Sequence, residues 1–171
     1  ANYRINNNLS FFGGVHKGFA PPTNTSGTDA EKSINYELGS RFKHNKLSGE
    51  VVAYFNNYSN LLGSDLAASG GSGTLDQFNA GEAHVKGIEL LLNYQILKEE
   101  SKFKLPITFG YTLTDTEFIN EFSSSDGAWG TIEKGDEIPY ISKHQFNASI
   151  ALEHAKFELI LGARFNGEFR T

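Results

Sequence analysis

Cysteine and methionine are absent from the 171 residues, tryptophan occurs once and proline four times. Without cysteine there is no disulfide framework and no thiolate metal site. Four prolines against 18 glycines exclude collagen-like and proline-rich chains. No run approaches the ~20 apolar residues that a transmembrane helix needs. A basic excess is missing too: the formal net charge is −5, which argues against a nucleic-acid partner. A lack of cysteine suits the cytosol and the bacterial outer membrane alike. The mean hydropathy of −0.37 resembles that of soluble proteins, but transmembrane barrels give the same value because only alternate strand residues face lipid. What is present is 39% hydrophobic and 20% charged residues, enough to order a chain. Aromatics reach 13%, with 14 Phe and 7 Tyr, and favour strands over helices.

The periodicity is two. Leu105, Ile107, Phe109, Tyr111 and Leu113 alternate with Pro106, Thr108, Gly110, Thr112 and Thr114. Residues 145–152, 157–166 and 35–42 alternate in the same way, and 47–58 and 84–96 do so less regularly. Leu9 to Val15 adds a strand and Tyr3 to Ile5 the stump of another, about eight in all. Residues 87–94 also fit a helical stripe, but Gly87 is a poor opening residue and every neighbouring segment is a strand. One face of the strands is mostly apolar. The other carries Glu37, Arg41, Glu50, Asn56, Glu89, Asn93, Gln95, Thr108, Thr112, Gln145, Asn147, Glu158, Arg164 and Asn166.

Connections alternate in length. Those at 6–8, 44–46, 98–102 and 154–156 are short and polar; those at 21–33, 63–79 and 117–142 are long. Hairpins tight at one end and elaborated at the other are the architecture of outer-membrane barrels. Several strands also reach the ~9–11 residues needed to cross lipid. The fold class expected is therefore all-β: an antiparallel up-and-down meander of about eight strands belonging to a larger transmembrane barrel. Its apolar face would meet lipid and its polar face a wet lumen. Aromatics at strand ends (Phe19, Tyr58, Phe118, Tyr140 and Phe169) are candidates for interfacial girdles, although for each one singly a packed core aromatic is the favoured reading.

Four stretches resemble a family. Gly14-Val15-His16-Lys17-Gly18-Phe19-Ala20-Pro21-Pro22 is similar to the G-x-x-[KR]-G-F-x-x-P segment in the barrels of TonB-dependent outer-membrane receptors. Glu31 to Gly39 resembles the P-E-x-S-x-x-Y-E-x-G strand that follows it, with Ala30 in the proline position. Asn79 to Glu89 resembles N-x-G-x-A-x-x-x-G-[IVL]-E. Gly135 to Gln145 resembles G-x-x-[LI]-P-x-x-P-x-H, with Ser142 in place of the second proline. The wording of the first and third is most similar to the ferric-dicitrate receptor branch. The resemblance covers nearly the whole chain and stands in the family's order. It implies a 22-stranded barrel with an N-terminal plug, in the bacterial outer membrane, taking up a ferric chelate with energy from TonB.

On that reading residues 1–171 are a fragment of the receptor barrel, with the plug domain and remaining strands absent and TonB engaged through that absent plug. The open sheet edges at 3–5 and 157–170 are then places for edge-strand pairing with another copy.

No enzyme is expected. There is no G-x-S-x-G elbow, the five His are scattered without metal-ligand spacing, and Ser69 to Gly73 lacks the Lys of a phosphate loop. No cofactor or metal is expected either. Candidate ligand-contacting residues are the cations Lys17, Arg41 and Arg164, suited to an anionic chelate, and the loop aromatics Phe118, Phe122 and Trp129. Two alternatives remain: a soluble all-β ligand-binding module, and a complete eight-stranded membrane barrel.

Overall fold

The computed structural model describes residues 1–22, 27–64, 77–98, 100–123 and 130–170. Thirteen strands follow in order: β1 (Asn2–Asn6), β2 (Leu9–Ala20), β3 (Glu31–His44), β4 (Leu47–Ser59), β5 (Leu62–Ser64), β6 (Gln77–Asn79), β7 (Ala83–Gln95), β8 (Phe103–Lys104), β9 (Pro106–Phe118), β10 (Phe122–Ser123), β11 (Thr131–Ile132), β12 (His144–His154) and β13 (Phe157–Asn166). One sheet has the order β1-β2-β3-β4-β7-β9-β12-β13, with β8 pairing to the end of β12. Every pairing in it is antiparallel. This is the expected meander, with all long connections at one end. Two of those connections carry hairpins of their own, β5–β6 and β10–β11. Residues 87–94 lie inside β7 and are strand.

Several strands outrun the apolar alternation that announced them. The β7–β9 ladder continues past Leu113 through Lys86↔Asp115, His84↔Glu117 and Ala83↔Phe118. Backbone pairing persists where the outward side chains turn from apolar to charged. The loops expected at 21–33 and 117–142 are correspondingly shorter, because Glu31, Glu117 and Phe118 belong to strands.

Register sorts the side chains onto two faces. One face holds Val15, Tyr36, Leu38, Val51, Ile88, Tyr94, Phe146, Leu159, Leu161 and Phe165. These lie open, Leu38 at 67% and Leu161 at 72% exposure. The other face carries all the polar strand residues named above, interrupted by the exposed apolar Leu91 and Ile160. The apolar face is thus an uncovered wall, and Leu113, Tyr111, Phe109 and Ile107 belong to it as the alternation required.

The apolar band climbs across the sheet as a staircase. At its loop-side edge the outermost apolar residue is Ile34 on β3. On β13 it is Phe165, which shares a row with Ser40, three rows lower. The opposite edge steps equally, from Phe42 on β3 to Phe157 on β13. Three rows are six residues, roughly 20 Å of strand, over five strand spacings of roughly 24 Å. A lipid slab fitted to this band crosses the strands at about 40°, within the tilt range of transmembrane barrels.

Histidines and aromatics line the band's borders. His84 lies near Phe55 (4.9 Å between ring centres) and His154 near Phe103 (4.8 Å), both tilted, while His144 stacks near Tyr111 (6.3 Å). Phe19 is open on the outer face, and Tyr140 contacts Phe169 beyond the strand ends. Tyr58 and Phe118 depart from the girdle expectation. Their register places them on the polar side, where the long connections pack over them.

Candidate functional site: the loop collar and the polar face

The chain's small buried core lies at the loop end of the polar face. Ala80, Ala83, Phe118 and Ile132 are fully buried and Ile138 nearly so; Tyr58, Leu61, Phe78, Val85, Phe122 and Ile141 pack around them. Phe118 meets Phe122 edge-on at 5.3 Å, and Phe122 lies 6.4 Å from Phe78. The connections therefore fold inward over the polar face and leave the apolar wall bare.

Polar side chains bind the three connections into one collar. Asn79 and Asp29 exchange bonds: the Asp29 amide donates to Asn79 Oδ1 (2.8 Å) and Asn79 Nδ2 to the Asp29 carbonyl (2.9 Å). Asn79 Nδ2 also reaches the Asn60 carbonyl, and the Leu62 amide donates to Glu31 Oε2. Gly81 adopts φ +80°, a left-handed conformation that favours glycine, and its carbonyl accepts the Leu61 amide (2.8 Å). Next to it the Glu82 amide donates to Asn120 Oδ1 (2.5 Å). In the third connection the Asp136 carbonyl accepts the Phe118 amide, Asp136 Oδ2 accepts the Glu133 amide, and Arg170 pairs with Asp136 at 3.4 Å. The Ile138 amide donates to the buried Thr116 hydroxyl (2.9 Å).

Sequence reasoning did not find this collar, although its parts lie within the motifs that carried the resemblance. Glu31, Asn79, Gly81 and Gly135 are specified motif positions, and Asp136 directly follows Gly135. Motif spacing was the available signal, and its physical meaning is loop closure.

The six predicted contact residues do not form one site. Lys17 lies on the outer, apolar face, since its register partner is Ile34 and its strand neighbours on that face are Val15 and Phe19. Phe118 is fully buried as packing beneath the loops. Phe122 stands in the collar, partly exposed. Trp129 falls outside the described residues. Arg41 and Arg164 both lie on the polar face and share one row, Ser10–Arg41–Glu50–Leu91–Gly110–Asn147–Arg164. Five strand spacings separate them, roughly 24 Å. Because the band is a staircase, Arg164 lies near its loop-side edge and Arg41 near the opposite one. Arg41 is ion-paired with Glu50 and its guanidinium sits 4.2 Å from the centre of the Phe12 ring. Arg164 donates from Nε to Asn166 Oδ1 at 3.2 Å. Glu37 and Glu89 present carboxylates on the same face with no ion pair among the described residues. Among the described residues no three His, Asp or Glu are grouped to hold a metal.

A bare apolar wall, tilted strands, and loops folded onto a polar face together describe the wall of a wide membrane barrel. The family model for the TonB dependent receptor-like beta-barrel matches residues 1–171. The chain belongs to this family. Among curated proteins it is similar to the pesticin receptor of Yersinia enterocolitica, 22% identical over 159 residues, covering 88% of this chain and 21% of that protein. Among solved structures it is similar to the ferric yersiniabactin uptake receptor of Yersinia pestis, with TM-score 0.62 at 19% identity, covering 93% of this chain and 23% of that one. The FrpB iron transporter of Neisseria meningitidis gives TM-score 0.59 at 16% identity, covering 95% and 25%. The alcaligin outer-membrane receptor of Bordetella pertussis gives 0.58 at 22%, covering 97% and 28%. The chain spans about a fifth of the curated relatives it matches. As a TonB-dependent receptor barrel it is an outer-membrane protein and not an enzyme, and its apolar face is the lipid-facing one.

Proposed function

We propose that this barrel segment belongs to a receptor that takes up a ferric chelate across the outer membrane, energised through TonB, with a plug occupying the lumen. The observation that carries the reading is the collar: three connections bound to one another over the lumen-facing wall make a preshaped rim at the loop end of the barrel. Connections tied to one another at their bases suit capture of a bulky ligand. The contacts proposed for that ligand are Phe122, Trp129 and Arg164, of which Phe122 and Arg164 lie at the loop side. Arg41 lies deeper and Lys17 faces outward. The open ladders of β1 and β13 would pair with neighbouring strands of the same wall.

The test is removal of residues 124–129 in the intact receptor, which leaves in place Ile132, whose burial supports the collar. Binding of iron-labelled ferric yersiniabactin, ferric alcaligin and ferric citrate to whole cells is compared at equal surface level of heat-modifiable barrel. The expected result is at least tenfold weaker binding of one of the three. Unchanged affinity for every chelate that the wild type binds overturns the capture role. An uncoupler of the proton gradient should abolish uptake and leave binding intact; uptake that survives it overturns energisation through TonB.

A further inference from the structure

Two short turns stand side by side at the end of the sheet opposite the collar: residues 44–46 between β3 and β4, and residues 96–102 after β7. The strands they join, β3, β4, β7 and β9, each have a paired strand on both sides. Between the turns opens a groove of about 810 Å³, lined by Lys43, Lys46, Ser48, Gln95, Lys98 and Glu100 among others. That is the size of a small-molecule site. Ser48 is registered with Lys43 on one side and Asn93 on the other. The groove therefore lies on the polar, lumen-facing side of the wall, out of reach of lipid.

Its lining is rich in donors. Lys43, Lys46 and Lys98 make no ion pair among the described residues. One row toward the collar, Arg41 is already spent on Glu50. Lys46 Nζ donates to the Ile96 carbonyl (2.9 Å) and the Lys46 carbonyl accepts the Gln95 amide (3.0 Å), so the two turns are tied to each other. Gln95 Oε1 accepts the Leu105 amide (2.8 Å), which leaves the side-chain NH2 of Gln95 to donate. Ser48 adds a hydroxyl. Against three ammonium groups the lining sets one carboxylate, Glu100. Such a lining takes an anion, and carboxylates above all.

Short turns are the periplasmic end of an outer-membrane barrel. An anion seated here has passed the lumen and stands at its exit. We propose that this groove is an exit subsite for an anionic, carboxylate-bearing ferric chelate, with Lys43 and Lys98 holding its carboxylates while Gln95 and Ser48 donate to it. The proposal takes its ligand from the uptake reading above and adds a second station to it, at the opposite end of the wall from the collar. Charge at the exit holds a chelate that has come through and opposes its return.

The experiment uses the intact receptor lacking residues 124–129, folded in detergent so that both ends are accessible and verified by heat-modifiable migration. Equilibrium dialysis measures binding of iron-labelled ferric EDTA, a carboxylate-bearing anion, and of iron-labelled ferrioxamine B, a cation. Ferric EDTA should bind saturably and ferrioxamine B should not. K43Q/K98Q should weaken ferric EDTA binding about tenfold or more, the effect of losing two charge-assisted hydrogen bonds. K43R/K98R should restore it, and K156Q, at the same end but outside the groove, should bind as its parent does. No saturable ferric EDTA binding, equal binding by K43Q/K98Q, equal loss in K156Q, or equal binding of ferrioxamine B would each overturn the proposal. The capture reading fails separately, in the whole-cell assay, which reads the loop end. Should it fail, K43Q/K98Q compared with its parent still decides whether the groove binds an anionic chelate.

Discussion

The hydroxyls of Tyr54 and Thr114 share a hydrogen bond of 2.9 Å that passes over the strand lying between theirs. The three residues in that row are Tyr54, Gly87 and Thr114, and the bond exists because position 87 has no side chain. A Cβ there would strike the Leu113 carbonyl oxygen and the Tyr54 ring. Gly87→Ala should therefore cost about 1–3 kcal/mol by overpacking, seen as a lower temperature for loss of the compact barrel form in heat-modifiability gels. Tyr54→Phe, which loses only the bond, should cost about 0.5–1.5 kcal/mol. If Gly87→Ala melts with the wild type, the close approach is not present.

The staircase makes a depth prediction that register alone does not. Leu38 and Leu161 lie three rows apart, yet each is near the middle of the apolar band on its own strand. Leu38→Arg and Leu161→Arg should each cost about 2–4 kcal/mol, while Phe165→Arg, at the band's edge, should cost about 0–1. Barrel refolding into bilayers across a denaturant series measures all three. Costs that follow register row instead of the tilted band would refute the tilt of about 40° inferred from the band.

Thr116→Val keeps the shape of a buried side chain and removes the acceptor of the Ile138 amide. An orphaned buried donor costs about 1–3 kcal/mol. The loss should be local: faster protease cleavage after β9 on intact cells, with the wall's thermal stability little changed. Cleavage at the wild-type rate would show that this bond does not hold the connection.

Phe118→Ala should cost about 3–5 kcal/mol in the collar and should weaken chelate binding, although the ring is wholly buried and cannot touch a ligand. Equal binding by the variant would mean that collar order is irrelevant to capture.

Much of the wall was legible from residues alone. An alternation such as Ile107-Phe109-Tyr111-Leu113 fixes strand and facing together, because period two has one physical meaning on a pleated sheet. Short and long connections in turn fixed the meander and the end that carries the loops. Strand ends were harder to read: once Asp115 and Glu117 face water, hydropathy no longer alternates, though the backbone ladder continues. The direction of Lys17 was recoverable by counting from Val15, but a cation near a predicted loop resembled a ligand contact more than a lipid-facing residue. Phe118 and Tyr58 follow the packed-core reading and not the girdle one, and which of the strand-end aromatics would do so was not legible because burial under a distant connection leaves no local trace. The collar depends on pairs such as Asn79 and Asp29, 50 positions apart, and a single sequence gives no distance between them.

The collar also bears on the order in which this wall assembles. Each hairpin of the meander needs only its predecessor, so strands can be added one after another with short loop closures. The bond from Asn79 to Asp29 joins two connections that precede β9, whereas those from Glu82 to Asn120 and from Thr116 to Ile138 form only after β9 is in place. Protection of the loops from protease should therefore be the last event in folding, a natural signal that the wall beneath is complete.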